Sequence, residues 1–173
     1  PGTYVLFKRG QTFSGSLTVA NANWTSGNRI VFGAYGPGHS NGDGDPFNDV
    51  RPIITGNTTL NPGSGSTSWL MIRDLDTGKI SSSAIQGSSG SASDVVIFNN
   101  VVHGKPPANH SNMIRLNDND TRCAIVQNLV YDVSANDLIA LHNAFTDTAV
   151  GPSHWIVDNV ILGNQAAESG IDL

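Results

Sequence analysis

Four short segments centred on isoleucine hold the residues best suited to chemistry. They are Ala84-Ile85-Gln86, Met113-Ile114-Arg115-Leu116, Leu138-Ile139-Ala140-Leu141 and Gly170-Ile171-Asp172-Leu173. Side chains alternate along a strand, so aligning the isoleucines puts Gln86, Arg115, Ala140 and Asp172 in one outward column. Two residues on, Ser88, Asn117 and His142 form a second column. Arg115, His142 and Asp172 would supply a cation to neutralise a substrate carboxylate, a base for the proton beside it and an acid for a leaving oxygen. Arg115 suits neutralisation and His142 suits base or acid, while Gln86, Asn117 and Asp137 are binding candidates beside them. No aligned pair of carboxylates marks a hydrolase, although Asp137, Glu168 and Asp172 keep hydrolysis open. The competing reading is a solvated surface on which these groups share no task.

A second constellation is N-G-D-G-D-P-F-N-D, from Asn41 to Asp49. Oxygen side chains at Asn41, Asp43 and Asp45, followed by Asp49, resemble the first half of a calcium loop, in which hard ligands at alternate residues wrap one cation. The closing Glu of an EF-hand is missing, so Ca2+ competes here with an ordinary Asx- and Gly-rich turn. His39, His103, His110 and His154 show no metal-site spacing and read as loop or strand-opening positions. Trp24, in N-A-N-W-T-S-G, is the tryptophan expected to be exposed for stacking on a sugar. Trp69 and Trp155 each start an apolar run and are expected to pack at the core or a corner. Cys123 is the single cysteine, which excludes an intrachain disulfide, and its apolar surroundings suggest a buried, inert thiol.

The elements that position these residues come from a repeat. W-L-M-I-R-D-L, V-V-I-F-N-N-V-V, C-A-I-V-Q-N-L-V and H-W-I-V-D-N-V-I begin at Trp69, Val95, Cys123 and His154. Setting Asp74, Asn100, Asn128 and Asn159 in register gives steps of 26, 28 and 31 residues, in the range of stacked repeats. Each unit holds this run and then the Ile-centred strand, with a third strand expected in less regular segments such as Leu60 or Val133. Upstream, Tyr4–Lys8, Phe13–Val19, Arg29–Tyr35 and Pro52–Thr55 are short strand candidates, and Gly36 to Asp49 is a loop. A unit this small cannot close a core, so successive turns must stack, with single aliphatics forming an inner column and Asp or Asn a ladder at one corner. The fold class is therefore all-β, a parallel β-helix of about six coils forming a single domain over residues 1–173.

Composition agrees, since 13% of residues are charged and 19 are Gly, a balance that suits strands and turns better than helices. A net charge of −5 with no Lys/Arg run argues against a nucleic-acid partner. No apolar stretch reaches the roughly 18 residues of a membrane span. The chain opens at Pro1-Gly2 and stops within a strand-like segment, so a longer parent protein and end-to-end self-association through unpaired strands are expected.

These runs, with P-G-T-Y-V-L-F-K-R-G-Q-T-F-S-G, R-I-V-F-G-A-Y-G and R-P-I-I-T-G before them, resemble right-handed parallel β-helix proteins of the pectate-lyase-like superfamily, particularly secreted bacterial members. The resemblance spans nearly the whole chain and is specific for fold rather than activity. It implies a secreted or cell-surface location, a polysaccharide partner, and an active face on one sheet, where the Ile-centred strands would carry Arg115, His142 and Asp172. The implied activity is binding a polysaccharide and cleaving it by β-elimination. The alternatives are a non-catalytic structural or adhesion β-helix and a polysaccharide hydrolase.

Overall fold

The computed structural model describes residues 2–19, 24–37, 50–60, 66–77, 84–87, 91–104, 112–116, 121–132, 137–141, 154–162 and 169–172. Every paired strand in them is parallel, in three sheets of six strands and one of two. Sheet A contains Thr3–Lys8, Ile30–Tyr35, Leu70–Arg73, Val96–Phe98, Ala124–Val126 and Trp155–Val157. Sheet B contains Thr12–Phe13, Ile53–Ile54, Asp76–Thr77, Val101–His103, Leu129–Tyr131 and Val160–Leu162. Sheet C contains Leu17–Val19, Thr58–Leu60, Ile85–Gly87, Ile114–Leu116, Asp137–Leu141 and Ser169–Asp172. The chain visits A, B and C in turn, so each sheet gains one strand per level. The all-β parallel β-helix expected from the repeat is the fold.

The core is a set of registered columns. Phe32, Ile72, Ile97, Ile125 and Ile156 stack from sheet A. Val102 and Val130 stack from sheet B, and Ile85, Ile114 and Ile139 from sheet C. The middle members of all three columns are fully or almost fully buried. None of these strands could bury its apolar face alone, because each is only two to six residues long. Stacking at roughly 4.8 Å per level is what removes the aliphatics from water. Cys123 is buried at the edge of this core, as its apolar neighbours suggested.

Two details of the repeat differ from the sequence reading. The third strand of each level is not in an irregular segment: it is the aliphatic run directly after the Asn, as in Val101–His103 and Leu129–Tyr131. V-V-I-F-N-N-V-V therefore spans two sheets with the bend inside it. In the same way Phe13–Val19 is not one strand but two, in sheets B and C, and Gly56 packs against the Gly15 turn so closely that a Cβ there would lie 2.5 Å from its backbone. The second difference is the ladder itself. Asn100, Asn128 and Asn159 do stack, but the strand register puts Leu75, not Asp74, at the equivalent position.

Asp74 belongs one column earlier, with Asn99, Gln127 and Asp158, all of which turn the chain through positive φ (57°, 51°, 55° and 54°). These residues absorb the left-handed geometry at the A–B bend, leaving the following Asn free to bond inward. Asn128 Nδ2 donates to the Ile97 carbonyl at 3.0 Å and its Oδ1 accepts the Asn100 amide at 2.9 Å. Asn159 repeats the pattern one level on, accepting the Asn128 amide at 2.9 Å. Asn128→Ala would orphan several buried groups at once, and we expect a loss of about 3–4 kcal/mol in denaturant unfolding. Gln127→Ala, at the exposed neighbour, should cost under about 1 kcal/mol.

Candidate functional site

Sheet C carries the column read from the sequence, and its register is as aligned. Gln86 pairs with Arg115, Arg115 with Ala140, and Ala140 with Asp172. Two strand steps separate the Arg115 and Asp172 positions, roughly 10 Å. Ala140 lies between them and is fully buried although it alternates with the core residue Ile139, so this face is covered at that level and is not an open groove. Arg115 Nε is likewise buried and has no hydrogen-bond partner among the described residues. Asp137 opens the strand Asp137–Leu141 and pairs with Ser169. His142 and Asn117 lie outside the described residues, as do the calcium candidates Asn41, Asp43, Asp45 and Asp49. Among the described residues no group of three or more His, Cys, Asp or Glu is placed to hold a metal.

Among the described residues an open concavity lies on sheet A. A groove of about 650 Å³ runs over its outer face at the first three levels. Tyr4 and Tyr35 stand at its walls, 65% and 48% exposed, and Arg9, Arg29 and Arg73 line it. Each guanidinium is positioned by a different contact. Arg29 lies over the Trp69 ring at 5.0 Å, and Arg73 lies over Phe98 at 5.5 Å while its Nε donates to Asp74 Oδ2 at 2.6 Å. Arg9 is largely buried and its Nη1 reaches the Val50 carbonyl at 3.5 Å. Gly33 permits the Arg73 placement, because a Cβ there would lie 3.2 Å from Arg73 Cγ.

Asp74 is the one carboxylate among the described lining residues. It is already engaged, since its Oδ1 accepts Asn99 Nδ2 at 2.7 Å and its Oδ2 accepts Arg73. The described lining residues thus carry three arginines against one carboxylate, on a protein of net charge −5. Such a concavity attracts anions, and its planar guanidinium groups match carboxylate or sulfate oxygens. A neighbouring corner follows the same pattern of fixed charge: Arg122 binds Asp94 through two hydrogen bonds of 2.8 and 2.6 Å, which hold the Asp94 carboxyl below its usual range.

Trp24, Trp155 and one histidine depart from expectation. Trp24 is half-buried against the core rather than exposed, and its carbonyl accepts Ser68 Oγ at 3.3 Å. Trp69 does turn a corner, with φ of 58°, but Trp155 is 62% exposed, because it precedes the inward Ile156 and lies on the last strand of sheet A. His103 is not a loop residue. It ends a sheet B strand, its Nε2 lies 2.9 Å from Asp76 Oδ1, and its ring stacks on Tyr131 at 4.9 Å with an interplanar angle of 8°.

Comparison with family models, with curated proteins and with solved structures returns no match for this chain. The fold and the two outer faces are therefore read on their own geometry. Neither the groove nor the His103 pair was found from sequence. A usable signal existed for the groove: extending the isoleucine alignment back to Phe32 places Gly33 and Arg73 side by side.

His103 provides a pH test of the sheet B contact. The Asp76 hydrogen bond raises its pKa above the ordinary value, burial opposes this, and the charges of Asp76 and Asp132 add to the rise. A raised folded-state pKa means that the added stability is complete below about pH 6.5, the unfolded value, and is lost as pH climbs through the folded value. The stability advantage of the wild type over His103→Gln should therefore be larger at pH 5.5 than at pH 8.5 in urea titrations. An advantage that does not change with pH would mean that His103 stays neutral.

Proposed function

We propose that this protein is an extracellular polysaccharide-binding β-helix, akin to the pectate-lyase-like superfamily, that holds an acidic chain in the sheet A groove. One observation carries the reading: Arg9, Arg29 and Arg73 and the exposed Tyr4 and Tyr35 line a single groove on an acidic protein. Tyrosine rings offer flat apolar faces for sugar stacking at small conformational cost. Guanidinium groups recognise the carboxylates of a uronate chain in a bidentate manner. The surface of net negative charge elsewhere disfavours loose adsorption of the same polyanion and directs it to this groove.

Cleavage by β-elimination is the second reading, favoured by the registered column of Gln86, Arg115 and Asp172 on sheet C. In it Arg115 neutralises the uronate carboxylate and His142 moves the proton.

Calorimetric titration with polygalacturonate and with its fully methyl-esterified, neutral form separates these possibilities. The acidic form should bind at least about tenfold more tightly, with affinity falling as salt is added, and Tyr35→Ala should weaken it by about tenfold. Equal affinity for both forms, or binding by neither, would refute the groove. Absorbance of the unsaturated product, followed in the same samples and lost in Arg115→Gln, would establish elimination; its absence would leave a binding protein.

A further inference from the structure

The three arginines of the sheet A groove are not equivalent. Arg9 is 8% exposed and bonded to the Val50 carbonyl, so it offers little of its guanidinium to a ligand. The Arg73 charge is compensated by Asp74, whose carboxylate lies 2.6 Å from its Nε. Arg29 is the exposed member, and among the described residues it makes no hydrogen bond or ion pair. Its contact is the Trp69 ring, 5.0 Å from the guanidinium carbon, which fixes a long side chain while leaving its N–H edge free to donate. The register explains the pairing. Arg29 and Trp69 directly precede the paired Ile30 and Leu70, and Asp94 and Arg122 occupy the same corner on the next two levels. Asp94, whose charge reaches Arg29, is held instead by Arg122 through two hydrogen bonds, so the corner leaves Arg29 uncompensated.

We infer that Arg29 is the charge-reading residue of the groove, with the Trp69 ring as the platform that positions it, and that one acidic group per ligand is enough for recognition. The inference rests on the polysaccharide reading above. Trp69 itself points to such a role. It turns the corner with φ of 58°, a left-handed conformation that is strained for a bulky side chain and that Asp or Asn adopts more readily. Asp94 occupies the same place one level on, with φ of 56°. Among the described residues Trp69 is not one of the side chains packed on the hydrophobic core, so core burial does not offset that strain. Its backbone is fixed on both sides, accepting the Ile30 amide at 3.2 Å and donating to the Ser93 carbonyl at 3.1 Å. A tryptophan kept at a strained corner, away from the core and beneath an exposed guanidinium, is explained by what that guanidinium binds. A single planar fork takes one carboxylate or sulfate in bidentate fashion. The site therefore accepts chains whose acidic groups are sparse as readily as chains that are acidic throughout.

The test is calorimetry of the full chain with short galacturonate oligosaccharides in three forms: every carboxyl free, every carboxyl methyl-esterified, and a single carboxyl free. Wild type, Arg29→Gln, Arg29→Lys and Trp69→Asn are compared, with melting curves confirming that each is folded. The wild type should bind the singly acidic form within about fivefold of the fully acidic one, and at least about tenfold more tightly than the ester. Arg29→Gln should erase that preference, and Arg29→Lys should restore only part of it, because an ammonium lacks the planar fork. Trp69→Asn, with a residue suited to the left-handed corner, should stay folded and cut the preference for acid over ester by about threefold or more. An unchanged preference in Arg29→Gln, or in folded Trp69→Asn, would overturn this inference and leave the groove reading intact. So would a singly acidic form that binds no better than the ester while the fully acidic form binds tightly. Failure of the wild type to bind any form, or equal binding of all three, would overturn both.

Discussion

The Asn ladder is the interaction on which the rest of this structure depends. A parallel β-helix has no long strands and no helices to set its register, so each bend must decide where the next strand begins. Here Asn100, Asn128 and Asn159 make that decision by bonding between levels, Asn128 and Asn159 also within their own. Because the amide carries both donors and an acceptor, one residue type satisfies the buried groups on both sides of the bend. A carboxylate could not donate, and a leucine could do neither. At Leu75 the ladder indeed ends, its amide capped by Asn100 Oδ1. Earlier levels rely instead on Arg51, which reaches the carbonyl and the side chain of Asn99.

A fixed register turns each sheet face into columns, and the three faces acquire different characters from the residues that fill them. Sheet A is apolar and open, with its cations gathered at one end. Sheet B carries a polar clasp in which His103 touches Asp76 one level away and Tyr131 on the other side. The Tyr131 phenol is itself held above its usual pKa, first by burial and then by the nearby Asp76 and Asp132 charges. Sheet C displays Arg115 in a column whose next member, Ala140, is covered. Function in such a solenoid is a property of a face rather than of a motif, since residues about 25 to 31 apart in sequence become neighbours.

That geometry also explains which parts were legible in the sequence. The isoleucines at 85, 114, 139 and 171 could be aligned because each sits in a short apolar segment bounded by turn residues, and the register confirms the alignment. Asn100, Asn128 and Asn159 were recognisable by type. Asp74 was misplaced by one residue because it shares that chemical type, whereas its true column is defined by backbone φ, which composition does not reveal. The groove escaped notice for a different reason. Arg9, Arg29 and Arg73 belong to three successive levels at different positions along their strands, so no alignment column joins them. Trp155 was read as a packing residue from its apolar neighbours, yet alternation along the strand sends its ring outward.

The proposed binding surface is the sheet A groove, where strands in parallel register bring Arg29 and Arg73 beside Tyr4 and Tyr35. A crystal structure of the protein with a long acidic oligosaccharide tests it most directly. The account predicts the sugar chain lying across the strands of sheet A, with acidic groups against Arg29 or Arg73 and rings against Tyr4 and Tyr35. Ligand bound over Arg115 on sheet C, with the sheet A face unoccupied, would contradict it.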